Sequence, residues 1–142
     1  MKAQVLSVCA LLILSAAAAL GQQPDQDPIG QNFFAPELVI QNQAAIGLND
    51  DQKTYLKTEI RQAQLKFTES QWKLQDEMEK LVSLVKQPHV EEQDALTQLE
   101  KVLAMEREIK RAQVTLLVRI KNKLTPEQQA KLFEIRSKSG NK

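Results

Sequence analysis

Between Leu48 and the C-terminus the chain contains almost no residue that breaks a helix. Pro88, Pro126 and Gly140 are the only proline and glycine residues in that stretch of a 142-residue chain. Glycine and proline are the least favourable residues inside a helix, so a long stretch nearly free of them is typical of long helices. With one tryptophan, one tyrosine and four phenylalanines, the chain also lacks the rings for a large globular core. The sequence therefore predicts an all-α fold.

Apolar residues recur at steps of three and four along two parts of this stretch. One stripe runs from Leu56 through Met78 to Val85, in a helix predicted to end near Lys86. The other runs from Ala95 through Leu99 to Ile120. This spacing marks one face of a helix, and the short link around Pro88 predicts an antiparallel hairpin with a coiled-coil-like seam. The two helices carry more apolar residues than the seam uses, and these need cover from another helix, a second chain or a client. They are Leu65, Trp72, Val82, Leu84, Leu96, Leu103, Val114, Leu117 and Val118.

Start and stop signals place a short helix on either side of the hairpin. Pro36 suits a first helical turn and Gly47 suits the position after a helix end, so a helix is predicted from Pro36 to about Ile46. The last helix is predicted from Pro126 to just before Ser139. The expected architecture is a long antiparallel helical hairpin with short flanking helices, four helices in all.

The first 21 residues have the pattern of a secretory signal peptide. Lys2 precedes an apolar run (residues 5–20) that ends in small residues, and a polar stretch follows. The run is shorter than the roughly 20 residues that a membrane-spanning helix needs, so no stable membrane insertion is expected after cleavage. We expect cleavage after Ala19 or Gly21 and a periplasmic location for the exported protein.

Composition also characterises the exported chain and its segments. Cys9 is the only cysteine and lies in the signal segment, so the exported chain has no cysteine for a disulfide. Residues 22–32 are polar with two prolines and a glycine, and are predicted to be a disordered leader. Residues 138–142 are predicted to be a flexible tail, which leaves residues 33–137 as one helical domain.

Charge and histidine content argue against several classes of function. Without Lys2 the chain has equal numbers of basic and acidic residues, whereas nucleic-acid binding is favoured by a positive excess. His89 is the only histidine, and the chain has no Gly-x-Ser-x-Gly elbow and no glycine-rich phosphate loop, so we expect neither an enzyme nor a cofactor. A transition-metal site needs several converging ligands, and His89 near Glu91, Glu92 and Asp94 is only a weak candidate.

Two copies of one short motif open the second and the fourth predicted helix. Residues 48–52 read LNDDQ and residues 124–128 read LTPEQ. In each copy the second residue can cap the helix, and the glutamine three residues later can reach back to close a capping box. We therefore predict that the residues of the two motifs form helix caps: Leu48, Asn49, Gln52, Leu124, Thr125 and Gln128.

The paired motif, in a small exported helical protein, resembles the LTxxQ family of bacterial periplasmic proteins, which includes the chaperones Spy and CpxP and the heavy-metal resistance proteins CnrX and ZraP. The second motif matches fully, and the first departs at Asn49, which replaces threonine. The resemblance covers about residues 33–137 and implies a cradle-shaped antiparallel homodimer. In the chaperone branch it implies a concave face that holds partly unfolded clients. In the metal branch it implies coordination by histidine, glutamate and methionine.

Client binding requires apolar surface beside charge on a helical scaffold. The candidates for such contacts fall into three groups. They are an apolar entry segment (Phe33, Phe34 and Leu38), a tryptophan outside the stripes (Trp72) and basic residues of the third helix (Arg107, Lys110, Arg111 and Arg119). Added to these candidates, the resemblance favours an ATP-independent chaperone or stress-response binding protein for unfolded exported proteins. Two alternatives stay open, namely a heavy-metal resistance or sensor protein and a regulatory partner of a membrane sensor kinase.

Overall fold

The computed structural model describes residues 29–139, and four α-helices account for most of this range. In chain order they are α1 (Pro36–Gln41), α2 (Asp50–Val85), α3 (Glu92–Lys123) and α4 (Pro126–Ser139). Residues 29–139 contain no β-strand, and the predicted all-α class is confirmed. The predicted signal peptide, its cleavage site and most of the leader fall on residues 1–28, outside the described residues.

Helices α2 and α3 form the antiparallel hairpin. Asn49 caps α2, because its side-chain oxygen accepts the backbone N–H of Gln52 at 2.8 Å. The helix ends at Val85, one residue before the predicted end, and the link around Pro88 leads into α3. At 1.5 Å per residue, α2 is about 54 Å long. Within residues 29–139 no helix combines the length and the apolarity that crossing a bilayer requires.

Helix α1 is shorter than the sequence predicts. It ends at Gln41 and not near Ile46: the N–H of Asn42 still bonds one full turn back, to Leu38 at 3.3 Å, but the next N–H, that of Gln43, bonds only three residues back, to Ile40 at 3.4 Å. Residues 42–47 form turns instead, and the last of them, Gly47, has a φ of 69°, which favours glycine. The glycine therefore ends a series of turns and not the helix itself.

Both ends of the described range are more ordered than the sequence predicts. Residues Gly30–Asn32 form a single 3-10 turn within the stretch predicted as a disordered leader. Helix α4 continues through Ser139, although the helical domain is predicted to end at residue 137. In its last turns Ser137 Oγ and Ser139 Oγ donate to carbonyls one turn earlier, at 2.9 and 3.0 Å.

The buried core of the unit that begins at Phe33 lies at one end of the hairpin, which we call the base. The entry segment, α1, the turns before α2, the start of α2, the end of α3 and α4 all contribute to it. Its buried residues are Phe34, Val39, Ile46, Leu48, Leu56, Ile120, Leu124 and Leu132. The rest of the hairpin, α2 after Ile60 and α3 before Leu116, is called the arm.

In the arm the two helices cover each other along one side only, and Gln98 and Val102 are the only buried residues there. The sequence predicts Leu99 on the seam, but Gln98 occupies that position at 6% exposure while Leu99 is 36% exposed. Gln98 is held there because its Nε2 donates to the backbone carbonyl of Glu77 at 2.8 Å and to its carboxylate at 2.7 Å. A polar residue bonded across a seam fixes the register of the two helices.

Met78 and Val85 differ from the prediction in the same way as Leu99. Both belong to the predicted stripe of α2, and both are exposed. They lie on the half of α2 farthest from the base. The buried core does not extend to this half, so none of its residues covers them. The apolar stripe of α2 is therefore covered over only part of its length.

Phe34 is part of the core and not a contact for clients, which corrects the sequence prediction. Its side chain is fully buried, and its ring meets that of Phe133 edge-on at 4.9 Å between centroids. The neighbouring Phe33 is half-buried, its carbonyl accepts a hydrogen bond from Arg136 at 3.0 Å, and Lys121 lies 5.9 Å from its ring centroid. The segment that carries Phe33 and Phe34 thus holds α4 against the hairpin.

We expect Phe34→Ala to lower the free energy of unfolding by about 3–5 kcal/mol, because it leaves a cavity in the core. Phe33→Ala is the matched control and should cost much less, since its ring keeps contact with water. Urea denaturation of both variants measures the difference. Equal losses at the two positions would contradict the placement of Phe34 in the core.

Candidate functional site

The two sequence motifs meet at the base, where Gln52 and Gln128 form a reciprocal hydrogen-bonded pair, called here the amide pair. Gln52 Nε2 donates to Gln128 Oε1 at 2.8 Å, and Gln128 Nε2 donates to Gln52 Oε1 at 3.0 Å. Each oxygen also closes its own capping box: Gln52 Oε1 accepts the Asn49 N–H at 3.1 Å, and Gln128 Oε1 accepts the Thr125 N–H at 2.9 Å. The start of α2 is therefore bonded directly to the start of α4.

Each glutamine uses its second amide hydrogen to bind a backbone carbonyl of a neighbouring segment. Gln52 Nε2 donates to the carbonyl of Lys123, the last residue of α3, at 2.9 Å, and Gln128 Nε2 donates to the carbonyl of Gly47 at 3.1 Å. A primary amide has two donors and an oxygen that accepts twice, so both side chains use their full capacity. Both are buried, where an unpaired polar group would cost about 1–3 kcal/mol.

The remaining motif residues support the amide pair. Leu48 and Leu124 are buried in the core directly before the two helices. Thr125 caps α4, since its hydroxyl oxygen accepts the N–H of Gln128 at 3.3 Å. Sequence reasoning found both capping boxes and missed the bond between them. The repeated motif was the sequence signal for this bond. A capping box uses only the oxygen of its glutamine, so each copy leaves two amide donors that need acceptors.

Helix periodicity gives the hairpin two different faces. Gln64 of α2 and Gln113 of α3 line one hollow beside the seam, and the side that carries them is called the apolar face. Residues seven apart lie on the same side of a helix, so Met78 and Leu99 share this face. Near the far end of α2 this face continues as a shallow, open groove formed by residues of α2 alone, among them Trp72, Met78 and Val82 with polar neighbours.

The opposite side of the hairpin is lined mainly by charged and polar residues and is called the charged face. A groove of about 270 Å³ lies on it, between Glu59 and Lys66 of α2 and Arg111 and Arg119 of α3. Arg119 bonds Glu59 across the seam at 2.7 Å. The two faces make the hairpin amphipathic, with apolar surface on one side and ion pairs on the other.

Glu77 of α2 accepts hydrogen bonds from two side chains, those of Lys80 and Gln98. The hydrogen bond from Lys80 first, and that from Gln98 second, hold the pKa of Glu77 below its ordinary value. A lowered carboxyl pKa means that these bonds contribute to stability above the ordinary pKa of glutamate and are lost as the pH falls through the lowered value. The bond that fixes the seam at Gln98 is therefore at full strength near neutral pH.

The four basic residues predicted to form one client-attracting surface do not lie together. Arg111 and Arg119 line the charged face, and Arg119 is already bonded to Glu59. Arg107 and Lys110 are exposed and line neither groove. At 3.6 residues per turn, Lys110 and Arg111 point to different sides of α3, so the four residues do not share one side of the helix.

Of the apolar residues predicted to contact clients, Trp72 is the one that the structure leaves on the surface. Its side chain is 71% exposed and lines the groove of the apolar face. Leu38 is half-buried and packs against the core, and Phe34 lies inside it. Most of the apolar residues predicted to exceed the seam are exposed as well: Leu65, Val82, Leu96, Leu103, Val114 and Val118. Leu84 and Leu117 are half-buried.

His89 lies in the link between α2 and α3. Its Nε2 is 2.9 Å from Glu91 Oε1, and both side chains are well exposed. Within residues 29–139 no three histidine, cysteine, aspartate or glutamate side chains are placed to hold a metal ion together. In the described residues His89 and Glu91 thus offer two ligands at most.

The fold and the amide pair define a class, that of helical-hairpin proteins closed at one end by twin capping motifs. The sequence model of a family described as heavy-metal resistance matches residues 5–131. The chain belongs to this family, which contains the LTxxQ proteins that the two motifs resemble. No curated protein and no solved structure gives a significant match.

We expect Gln128→Glu to lower the free energy of unfolding at pH 7 by roughly 2–3 kcal/mol, because a buried carboxylate cannot donate to Gly47 or Gln52. Below about pH 5 the carboxyl gains a proton and one donor, so part of the loss should be recovered. Gln62→Glu, at an exposed position, is the control and should show neither effect. Chemical denaturation at both pH values tests this, and a pH-independent loss would contradict the amide pair.

Proposed function

We propose that the protein is exported to the periplasm, where it holds partly unfolded proteins on the apolar face of the hairpin without nucleotide, cofactor or catalysis. The observation that carries this proposal is the exposure of large apolar side chains on the arm, with Trp72 foremost. Exposed contiguous apolar surface in a folded domain marks an interaction site. Membership of the family is consistent with this role and with the metal-linked one considered below.

Two features make the arm suitable for holding unfolded chains. Its apolar groove is wide and lined by both apolar and polar groups, among them Met78, Gln75 and Lys86, so it has no defined shape to select one ligand. Methionine adapts its shape to different partners. The ion pairs of the charged face keep the other side of the hairpin in water, so one surface binds while the other keeps the complex soluble.

We also propose that the protein is a homodimer, as the resemblance implies. The long helices leave apolar residues exposed on α3 as well as on α2, among them Leu96, Leu103 and Val114. A second copy would cover part of this surface and would enlarge the face available to a client. Dimerisation would also supply stability that a chain without disulfides lacks.

The metal-linked function is the second candidate, because the family is described by heavy-metal resistance. The observation that favours it in the structure is the contact between His89 and Glu91, which places a nitrogen and an oxygen 2.9 Å apart at an exposed turn. Metal binding would need ligands from elsewhere, such as a second copy of the chain. A regulatory role toward a sensor kinase would use the same apolar face as a client and is tested by the same variants.

We expect the double variant Trp72→Ser with Val82→Ser to weaken suppression of client aggregation in the absence of ATP. Burying a large apolar side chain contributes about 1.5–3 kcal/mol, so half-maximal suppression should require about tenfold more protein. Val118→Ser is the matched control, because Val118 is 38% exposed and Val82 is 39% exposed, but Val118 does not line the groove. Unchanged suppression by the double variant would remove the apolar face as the client site.

Zinc, copper and nickel should leave the melting temperature nearly unchanged if the protein is a chaperone. A bound ligand at 100 times its dissociation constant adds about 2.7 kcal/mol to stability, which a thermal melt detects easily. His89→Ala is the control for any shift. Stabilisation by stoichiometric metal that disappears in His89→Ala would favour the metal-linked function instead.

A further inference from the structure

A small pocket lies where the arm meets the base, between the first turn of α1 and the two long helices; we call it the junction pocket. Half-buried apolar residues make up most of its lining: Pro36, Ile60, Ala63, Phe67, Ala112 and Leu116. Three exposed residues complete it at the rim, namely Glu37, Gln64 and Gln113. The pocket belongs to the apolar face but is separate from the groove at Trp72, which shares no lining residue with it.

The size of the junction pocket limits what it can hold. Its volume is about 150 Å³, whereas pockets for cofactors and drug-sized ligands measure about 300–1,000 Å³. An apolar cavity of about 150 Å³ holds a benzene molecule. The pocket therefore matches one phenylalanine ring or one branched aliphatic side chain.

The rim of the pocket indicates what should lie next to that side chain. Glu37 is the only charged residue among the lining residues, so the local charge is negative and favours a lysine or arginine beside the buried ring. Gln64 and Gln113 place primary amides on α2 and α3, on either side of the pocket. Primary amides both donate and accept hydrogen bonds, as the peptide groups of an extended chain require.

We propose that the junction pocket binds one phenylalanine-like side chain of an extended polypeptide that carries a basic residue next to it. This inference rests on the proposed function and names the kind of segment that a client would present. The pocket gives a preferred anchor point, whereas the groove at Trp72 adds contact without selecting a sequence. Clients would then be recognised by apolar-basic pairs, which unfolded proteins expose and folded proteins bury in part.

The probe is the peptide Gly-Ser-Gly-Lys-Phe-Lys-Gly-Ser-Gly, labelled for fluorescence anisotropy and titrated with the exported chain. Replacing its phenylalanine by alanine should raise the dissociation constant about 10- to 100-fold, the equivalent of burying one large side chain. Replacing both lysines by glutamate should also weaken binding. Equal affinity for the phenylalanine and alanine peptides overturns the proposal.

Two pairs of variants connect the binding to the pocket. Gln64→Phe places a ring at the rim that competes for the pocket and should abolish the preference for phenylalanine, whereas Gln62→Phe, on the charged face, should not. Glu37→Gln should reduce the preference for lysine over glutamate. Its control is Glu127→Gln, because Glu127 also follows a proline in a first helical turn but lies outside the pocket. Identical peptide preferences in each variant and its control overturn the proposal.

Cross-linking locates the bound ring independently of any variant. A peptide that carries benzoyl-phenylalanine in place of phenylalanine should cross-link near Phe67 and Leu116. Cross-links concentrated around Trp72 and Val82 would overturn the junction pocket while leaving the chaperone proposal intact. Failure of the protein to suppress aggregation, together with cross-links at Phe67, would overturn the chaperone proposal and leave the pocket as a peptide site.

Discussion

The reciprocal hydrogen bonds between Gln52 and Gln128 are the interaction on which the base of the molecule depends. A helix start has N–H groups without partners and a helix end has carbonyls without partners. The amide pair binds one N–H at the start of α2, one at the start of α4, the final carbonyl of α3 and the carbonyl of Gly47. A charged side chain could not take this place, because it would only donate or only accept. Glutamine at both positions thus joins three helices with neutral groups in an apolar surrounding.

The arm is stabilised differently from the base. Its helices meet along one seam, and only Gln98 and Val102 are buried between residues 61 and 115. Segments with little buried apolar surface open at lower free-energy cost than a core does. The arm is therefore the part of the described chain that can adjust its surface to a partner while the base keeps its geometry. The same exposure that weakens the arm as a structure is what makes it suitable for binding.

Local signals in the sequence predicted most of the helices, and long-range packing explains what they missed. Capping boxes act within a few residues, so the starts of α2 and α4 could be read from them. The buried position of Phe34 and the seam position of Gln98 each depend on a partner distant in sequence, Phe133 and Glu77. Helical periodicity could have separated Lys110 from Arg111, because the angle between neighbouring residues is fixed by the helix itself.

The amide pair also bears on the order in which the molecule can assemble during synthesis. Its two residues are separated by 76 positions, and Gln128 belongs to the last helix. The hairpin of α2 and α3 joins neighbouring elements and can form as soon as α3 has been made, since contacts between sequence neighbours form early. A growing chain would thus display its apolar arm before it can complete its core. Helix α4 must be made before the base can close, because Leu132 belongs to the core, and a chain that stops short of α4 has the exposed arm without the core that supports it.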